Sequence, residues 1–438
     1  MRRTHTIFTL LCVPLTLVDG KLLDSHDGQL LHLTSSTGSF CPWHPDSLSL
    51  TPEWAETERS PLELVAGACA GNLSEEICVY SNPSFGNSQG IAFLTSPKRA
   101  ARLAQSTTLT DPSLHSQTER LNLATNPNWE VRAIPGKGMG VIATSHLSLG
   151  DHVMSATPAI VQDSAIFELS DDEAMELRIG AVEHLPPGLR TAFLKLTTHD
   201  HPASLSERIE KIIDVNSFEL ELVGNVEDDE GEKSWLAVFP DISRLNHACR
   251  PNAQYYFDPI TLTQHVHAVR DIHPGEEITV SYINAFQTHR RRQKKIASMW
   301  HFGCTCDFCS RNRHQIKASD ERILQIQKLI KEFQDRTPHS KTTPQAAELL
   351  ISLYRQEKLW YAFYEAYTMA ALEYSFVGEE RLATMYARLA IEHGIASAGP
   401  DDENVEMMRE LARDPRKHWS WMYRIDMREE SNSRTHST

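Results

Sequence analysis

Residues 244–252 read Arg244-Leu245-Asn246-His247-Ala248-Cys249-Arg250-Pro251-Asn252. Asparagine, histidine and cysteine packed this tightly around a proline fit neither an ordinary core nor an ordinary turn. Each polar group buried without a hydrogen-bond partner costs about 1–3 kcal/mol, so a segment like this one needs partners. A ligand with amine, carboxylate and heterocyclic nitrogen atoms would supply them. Two clusters follow downstream: Gly275-Glu276-Glu277-Ile278-Thr279-Val280-Ser281-Tyr282, a turn into a short strand ending on a tyrosine, and Cys304-Thr305-Cys306-Asp307-Phe308-Cys309. Upstream stands Gly136-Lys137-Gly138-Met139-Gly140, by itself an unspecific glycine-rich turn.

In this order the segments resemble the SET domain family of protein lysine methyltransferases. NHACRPN, GEEITVSY and CTCDFC fit the family patterns NHSCxPN, GEExxxxY and CxCxxC, with Ala248 where serine is usual. The resemblance runs from Trp129 to Cys309. Asn216-Ser217-Phe218, Ser281-Tyr282-Ile283 and the helical tail look most like the SET-and-MYND subfamily. No cysteine lies between Ile142 and Asn216, so that subfamily's cysteine-rich MYND finger is missing there, and the partner recognition it provides is not implied.

The resemblance implies an α+β fold: small antiparallel sheets around a threaded crossing of NHACRPN with the strand before Tyr282, followed by an α-helical, tetratricopeptide-like domain. It implies an S-adenosylmethionine-dependent protein lysine N-methyltransferase acting on a histone or another protein. The backbone at Lys137, Gly138 and Met139 would line the methionine end of the cofactor. Asn216, Asn246 and His247 would bind its polar groups, and Phe302 would stack on the adenine or simply pack in the core. Tyr282 would be the catalytic residue, touching both cofactor and substrate. Tyr255 and Tyr256 alternate across a strand; one or both would face the lysine channel, or both would be ordinary strand aromatics.

Three cysteines on one tight loop lack a fourth ligand for a closed tetrahedral zinc site. By resemblance the fourth is Cys249, giving structural Zn2+ on Cys249, Cys304, Cys306 and Cys309. Free thiols or a disulfide are the alternative for that loop. The remaining cysteines are Cys12, Cys41, Cys69 and Cys78; a Cys69–Cys78 disulfide and buried free thiols are both open readings.

The rest of the 438 residues sets the limits. A formal net charge of −15 excludes a generic nucleic-acid binder and suits a basic protein partner. Residues 1–20 read as a signal peptide or signal-anchor remnant, with Arg2 and Arg3 before an apolar stretch broken by Pro14. If the leader is used, the Asn72-Leu73-Ser74 sequon becomes a glycosylation acceptor; otherwise the implied function points to nucleus or cytoplasm. No second stretch of membrane length occurs, and a monomer is expected.

Residues 21–125 read as a partly ordered N-terminal extension with two short strands (Ile77–Tyr80, Gly90–Leu94) and a helix from Ala100 to Gln105. The SET domain is expected over 126–285 with a helical insert at 164–222, an acidic surface loop from Gly224 to Lys233, and a hairpin turn at Asp258-Pro259. A zinc-binding loop over 286–311, a helical domain over 312–428 and a disordered tail over 429–438 complete the chain. Trp360 to His393 reads as one helical pair whose aromatics form core. His265 and His267 share a strand face but read as exposed histidines, and Arg290-Arg291-Arg292 with Lys294-Lys295 as a solvated helix face. Two further readings stand beside the enzyme: an inactive SET scaffold acting as a protein-interaction module, and a disulfide-bonded secreted protein with a decayed fold.

Overall fold

The computed structural model describes residues 60–71, 76–114, 127–198, 200–222, 234–335, 337 and 340–427. The leader, Cys12, Cys41, the sequon at Asn72, the acidic loop and the tail lie outside them.

Three sheets form the middle of the molecule. The largest has six strands in the order β1-β2-β3-β7-β9-β8, built from β1 (Glu63–Ala70), β2 (Ile77–Asn82), β3 (Ile91–Thr95), β7 (Ile160–Asp163), β8 (Ser217–Leu220) and β9 (Trp235–Val238). The second runs β10-β13-β5-β4, from β4 (Trp129–Ile134), β5 (Gly138–Ala143), β10 (Asn246–His247) and β13 (Glu277–Val280). The third is β11-β12-β6, from β6 (His152–Ala156), β11 (Ala253–Asp258) and β12 (Thr263–Ala268). The expected turn at Asp258 joins β11 to β12; the Asp258 carboxylate accepts from Ile260 N at 2.8 Å and Thr261 Oγ1 at 2.7 Å.

The expected boundary near residue 126 does not separate an appendage from the sheets. β2 and β3 are buried along their whole length, and β3 pairs in parallel with β7. Helix α1 (Pro97–Ala104), capped by Ser96, sends Arg99 to Asp163 on β7 at 2.7 Å, an ion pair almost closed to solvent. Apolar alternation was too weak to show this, because strands buried on both faces carry no period-two signal. Cys69 and Cys78 face each other across β1 and β2 and are joined by a disulfide.

The helical insert holds α2 (Asp171–Glu183), α3 (Pro187–Leu194) and α4 (Leu205–Asn216). Ser170 and Glu173 form a capping box that starts α2. The insert does not stay helical to residue 222, since the chain turns into β8 at Ser217.

Helix α5 (His289–Trp300) leads into the cysteine loop, and after it come α6 (Arg313–Phe333), α7 (Pro344–Glu357), α8 (Phe363–Phe376), α9 (Glu380–Ser397) and α10 (Glu403–Arg413). Tyr354, Phe363, Tyr367 and Phe376 are buried, so the aromatic stripe is core. α8 and α9 pack as a pair across Gly378, whose φ of 77° needs a residue without Cβ. No helix among the described residues is long and apolar enough to cross a membrane.

The helices are bound to the sheets by a buried charge network. Arg250 lies between Glu357 and Phe308: Nη2 reaches the Glu357 carboxylate at 2.7 Å, and the guanidinium stands 4.7 Å from the ring centre. Ser319 and Arg322 donate to the same carboxylate at 2.6 and 2.7 Å. Burial would raise the Glu357 pKa, but these donors hold it below the usual range. Its contribution is therefore full above the ordinary carboxylate pKa and is lost only as pH falls through the lowered value. Glu357→Ala leaves Arg250 buried without its counter-ion, so a loss of about 3–5 kcal/mol in urea unfolding is expected. Breaking the exposed, solvent-screened Lys417–Asp414 pair should leave the unfolding midpoint almost unchanged; an equal shift would refute the contrast.

His265 and His267 are half-buried rather than exposed. They share one face with His152 and Ser155: Ser155 Oγ is 2.7 Å from both His152 Nε2 and His265 Nδ1, and Tyr256 stacks on both strand histidines. Burial and mutual repulsion lower His152 to about 4 and His267 to about 3. A histidine with a depressed pKa stabilises the fold fully above its unfolded value and loses that contribution as pH falls below it. The face should thus weaken below about pH 6.5. Relative to the native chain, His267→Gln should shrink the stability drop between pH 7 and 5 by about 1 kcal/mol after solvent screening. Identical pH profiles would remove the cluster as the cause.

Candidate active site

The glycine turn that opens β5 begins the site. Gly136 and Gly138 have φ of 75° and 76°, a conformation that favours glycine, and an added Cβ at Gly138 would meet no protein atom within 4 Å. Gly140 is the position where a side chain cannot fit: a Cβ there would stand 2.6 Å from Asn246 Nδ2 and 2.3 Å from Ile134. The turn therefore passes close to the polar segment quoted first.

That segment pairs in parallel with the strand before Tyr282, Asn246 opposite Thr279 and His247 opposite Val280. Its polar groups find most of their partners inside the protein rather than waiting for a ligand. Asn252 Oδ1 accepts from Thr279 N at 2.8 Å, and Nδ2 donates to Glu277 O at 2.9 Å, which lashes the two passing segments together. Asn246 Nδ2 donates to Glu277 Oε1 at 2.9 Å and to Met139 O at 3.2 Å. Glu277 also receives Lys137 Nζ at 2.6 Å, so one carboxylate joins three elements of the wall.

His247 has both ring nitrogens engaged. Nδ1 accepts from the Tyr282 backbone N–H at 3.0 Å, which leaves the proton on Nε2, 3.4 Å from Cys249 Sγ. Burial lowers its pKa to about 4, so the ring is neutral at pH 7. Its side chain links Tyr282 to the cysteines and is not free to bind a polar ligand atom. Asn216 is held through its Nδ2, which donates to Ile212 O at 2.8 Å and Thr197 O at 3.0 Å.

The Tyr282 hydroxyl donates to Leu245 O at 2.7 Å. Burial pushes its pKa above the ordinary value, so the phenol keeps its proton at neutral pH. Tyr255 is its neighbour, also raised by burial, to about 12, and packed edge-on against Phe218 at 5.3 Å. Tyr256 points the other way, to the histidine face and against Gly399 in the α9–α10 connection. Strand alternation separates the two, and only Tyr255 stays near Tyr282.

A cleft of about 470 Å³ gathers these residues, a size within the range of small-ligand sites. Lys137, Gly138, Met139, Asn216, Asn246, His247, Tyr282 and Phe302 line it, and so do Cys304, Thr305 and Cys306. Tyr255 and Tyr256 are not on its wall. Sequence reasoning missed Lys195, Arg244 and Trp300, which also line it. Arg244 stood within the quoted segment, where its charge was the available signal. Lys195 lies far upstream and is joined to Arg244 only by folding, through a 3.1 Å bond from Arg244 Nη1 to Lys195 O. The added cations favour an anionic ligand group.

Beside the cleft, the sulfurs of Cys249, Cys304, Cys306 and Cys309 all lie within 4.8 Å of one another. Cys249 Sγ is 3.9 Å from Cys304 Sγ and 3.5 Å from Cys309 Sγ. Four ligands 2.3 Å from one metal in a tetrahedron would stand about 3.8 Å apart, so the cluster is of a size to hold a metal ion. Arg292, expected on a solvated face, is 1% exposed and turns inward to Cys249 and Cys309, while Arg290, Arg291 and Lys294 remain outside. A buried cation fits a cluster of thiolates.

The family model of the SET domain matches residues 138–283. This chain contains a SET domain. It is 26% identical over 302 residues to the histone-lysine N-methyltransferase set5 of the fission yeast Schizosaccharomyces pombe, covering 66% of this chain and 85% of that protein. Identity to the zebrafish N-lysine methyltransferase SMYD2-B is 41% over 85 residues, 19% of each chain. To the human histone-lysine N-methyltransferase SMYD3 it is 29% over 115 residues, 26% of each chain. The matches to these two SMYD proteins thus span only 19% and 26% of their length. The SET domain matched here contains β5 to β13, and with them Asn246, His247 and Tyr282.

Proposed function

We propose that the protein is an S-adenosylmethionine-dependent protein lysine N-methyltransferase, with a structural zinc ion on Cys249, Cys304, Cys306 and Cys309. The observation that carries this reading is the convergence of the Lys137–Met139 turn, the Asn246-His247 segment, Tyr282 and Phe302 on one cleft beside the cysteines. The cofactor supplies a methyl group on a positively charged sulfur. The turn backbone, with Lys195 and Arg244, would hold its methionine end, whose carboxylate suits their charge. Phe302 would offer a flat face to the adenine.

The nucleophile is a lysine amine, which must be neutral to attack. Its ordinary pKa is about 10.4, and desolvation in an apolar channel lowers it. Tyr282 is protonated and His247 is fully bonded, so neither serves as a base. Their work is alignment: His247 holds the Tyr282 backbone, Leu245 O holds its hydroxyl, and the ring positions the incoming nitrogen.

The test is transfer of labelled methyl groups from the cofactor by the purified chain to core histones and to proteins of a cell lysate. Label in lysine is expected. Cofactor binding with no lysine labelled in either pool would refute the assignment.

A further inference from the structure

Helix α5 opens with His289-Arg290-Arg291-Arg292-Gln293-Lys294-Lys295, a run whose inner side is already engaged. Arg292 turns to Cys249 and Cys309, and Ile296 is buried. The Gln293 side chain holds Cys304 from both sides: Cys304 N donates to Oε1 at 3.0 Å, and Nε2 donates to Cys304 O at 2.8 Å. With that side fixed, Arg290, Arg291 and Lys294 are exposed and form no ion pair with any described residue. His289 N donates to the Asp320 carboxylate of α6 at 2.7 Å, which sets the start of α5 beside that helix. Arg313, Lys317 and Asp320 are spaced four and three apart, so they share one side of α6. Arg313 and Lys317 are exposed as well, and the Glu321 carboxylate stands 3.9 Å from Lys317 in open solvent. Residues 286–317 thus hold eight lysines and arginines and one acid, Asp307, within a chain of net charge −15.

We propose that this face of α5 and α6 binds the phosphate backbone of duplex nucleic acid without reading its sequence. Arg290 and Arg291 stand in the first turn of α5, where there is no acid. They oppose the positive end of the helix dipole, and Arg290 and Lys294 repel each other one turn apart. A polyanion relieves that repulsion and releases its own counterions, which supplies the driving force. None of the large hydrophobic side chains exposed on the molecule falls within residues 286–317. A protein partner anchors on aromatic or apolar side chains, a single strand stacks its bases on aromatic rings, and a membrane-lying helix presents an apolar face. A cationic face that offers none of these suits a duplex backbone, whose contacts are ionic. The net charge of −15 describes the whole surface, and this face has the opposite sign. None of these cations lines the cleft, so the surface adds to the methyl-transfer reading and does not depend on it.

The experiment measures binding of the full-length native chain to a short mixed-sequence DNA duplex by fluorescence anisotropy. The separated single strand and phosphatidylserine vesicles serve as the competing probes. A dissociation constant of about 10⁻⁶–10⁻⁴ M is expected at physiological salt, unchanged when the duplex sequence is scrambled. About four phosphate contacts should make affinity fall roughly 100-fold between about 50 and 200 mM salt. The triple variant Arg290→Gln, Arg291→Gln, Lys294→Gln should bind about tenfold more weakly or worse, and its log–log salt slope should flatten by about one per side chain removed. Arg381→Gln with Arg388→Gln, two exposed cations of α9, should leave binding unchanged. If the triple variant fails to fold, Arg290→Gln and Lys294→Gln decide singly, each flattening the slope by about one. No duplex binding at low salt overturns the inference, as does a triple variant that binds like the native chain or an equal loss in the α9 control. Tighter binding to the single strand or to the vesicles overturns it too.

Discussion

Tyr282→Phe is expected to lower turnover by about 10²–10³-fold while cofactor affinity changes less than about threefold. The ring, its packing on Trp300 and the backbone bond to His247 remain. What disappears is one oxygen, held at 2.7 Å from Leu245 O. Because burial keeps this phenol protonated, the loss is of a positioned dipole, and the pH dependence of turnover should keep its shape. Leu245 O loses its donor, which costs about 1–3 kcal/mol of stability, too little to unfold the chain. Single-turnover kinetics with a calorimetric binding measurement separate these effects. Turnover within a factor of about three of native would remove Tyr282 from the reaction.

The second large effect concerns the cysteines. Stripping the metal with a chelator, or substituting Cys306→Ser, should abolish cofactor binding while most of the sheet structure persists. Structural zinc in small thiolate sites binds with about 10–16 kcal/mol, so its loss frees the whole loop it closes. Here the loop carries Phe302, Cys304, Thr305 and Cys306 into the cleft, and Cys249 accepts the His247 N–H that ends at Tyr282. Metal analysis should find one zinc per native chain. Hydrogen exchange should show residues 300–311 losing protection in the stripped protein, with β2 and β3 unchanged. Full cofactor affinity after chelation would sink the coupling.

The SET domain was legible before folding because its signals are local. Asn246-His247, Tyr282 and Cys304-Thr305-Cys306 each carry unusual chemistry within a few residues. Individual roles were less legible. His247 looks in sequence like a ligand-binding side chain, yet folded its ring satisfies Tyr282 and Cys249. Polar residues in a threaded crossing must first bond its passing strands, which a linear reading does not distinguish from waiting for a ligand. Tyr255 and Tyr256 are adjacent and alike, but only Tyr255 turns toward Tyr282.

From its sequence alone this chain declared an α+β SET architecture, the glycine turn, the tyrosine that ends the GEEITVSY strand and four cysteines of one kind, since residue chemistry and spacing survive without coordinates. Tertiary structure alone decided that β2 and β3 are sheet core, that Lys195 and Trp300 stand at the cleft, and that Arg250 binds the helices to it. Those facts depend on pairings between residues far apart in the chain, whose free energy comes from burial after folding and leaves no periodic mark on either partner.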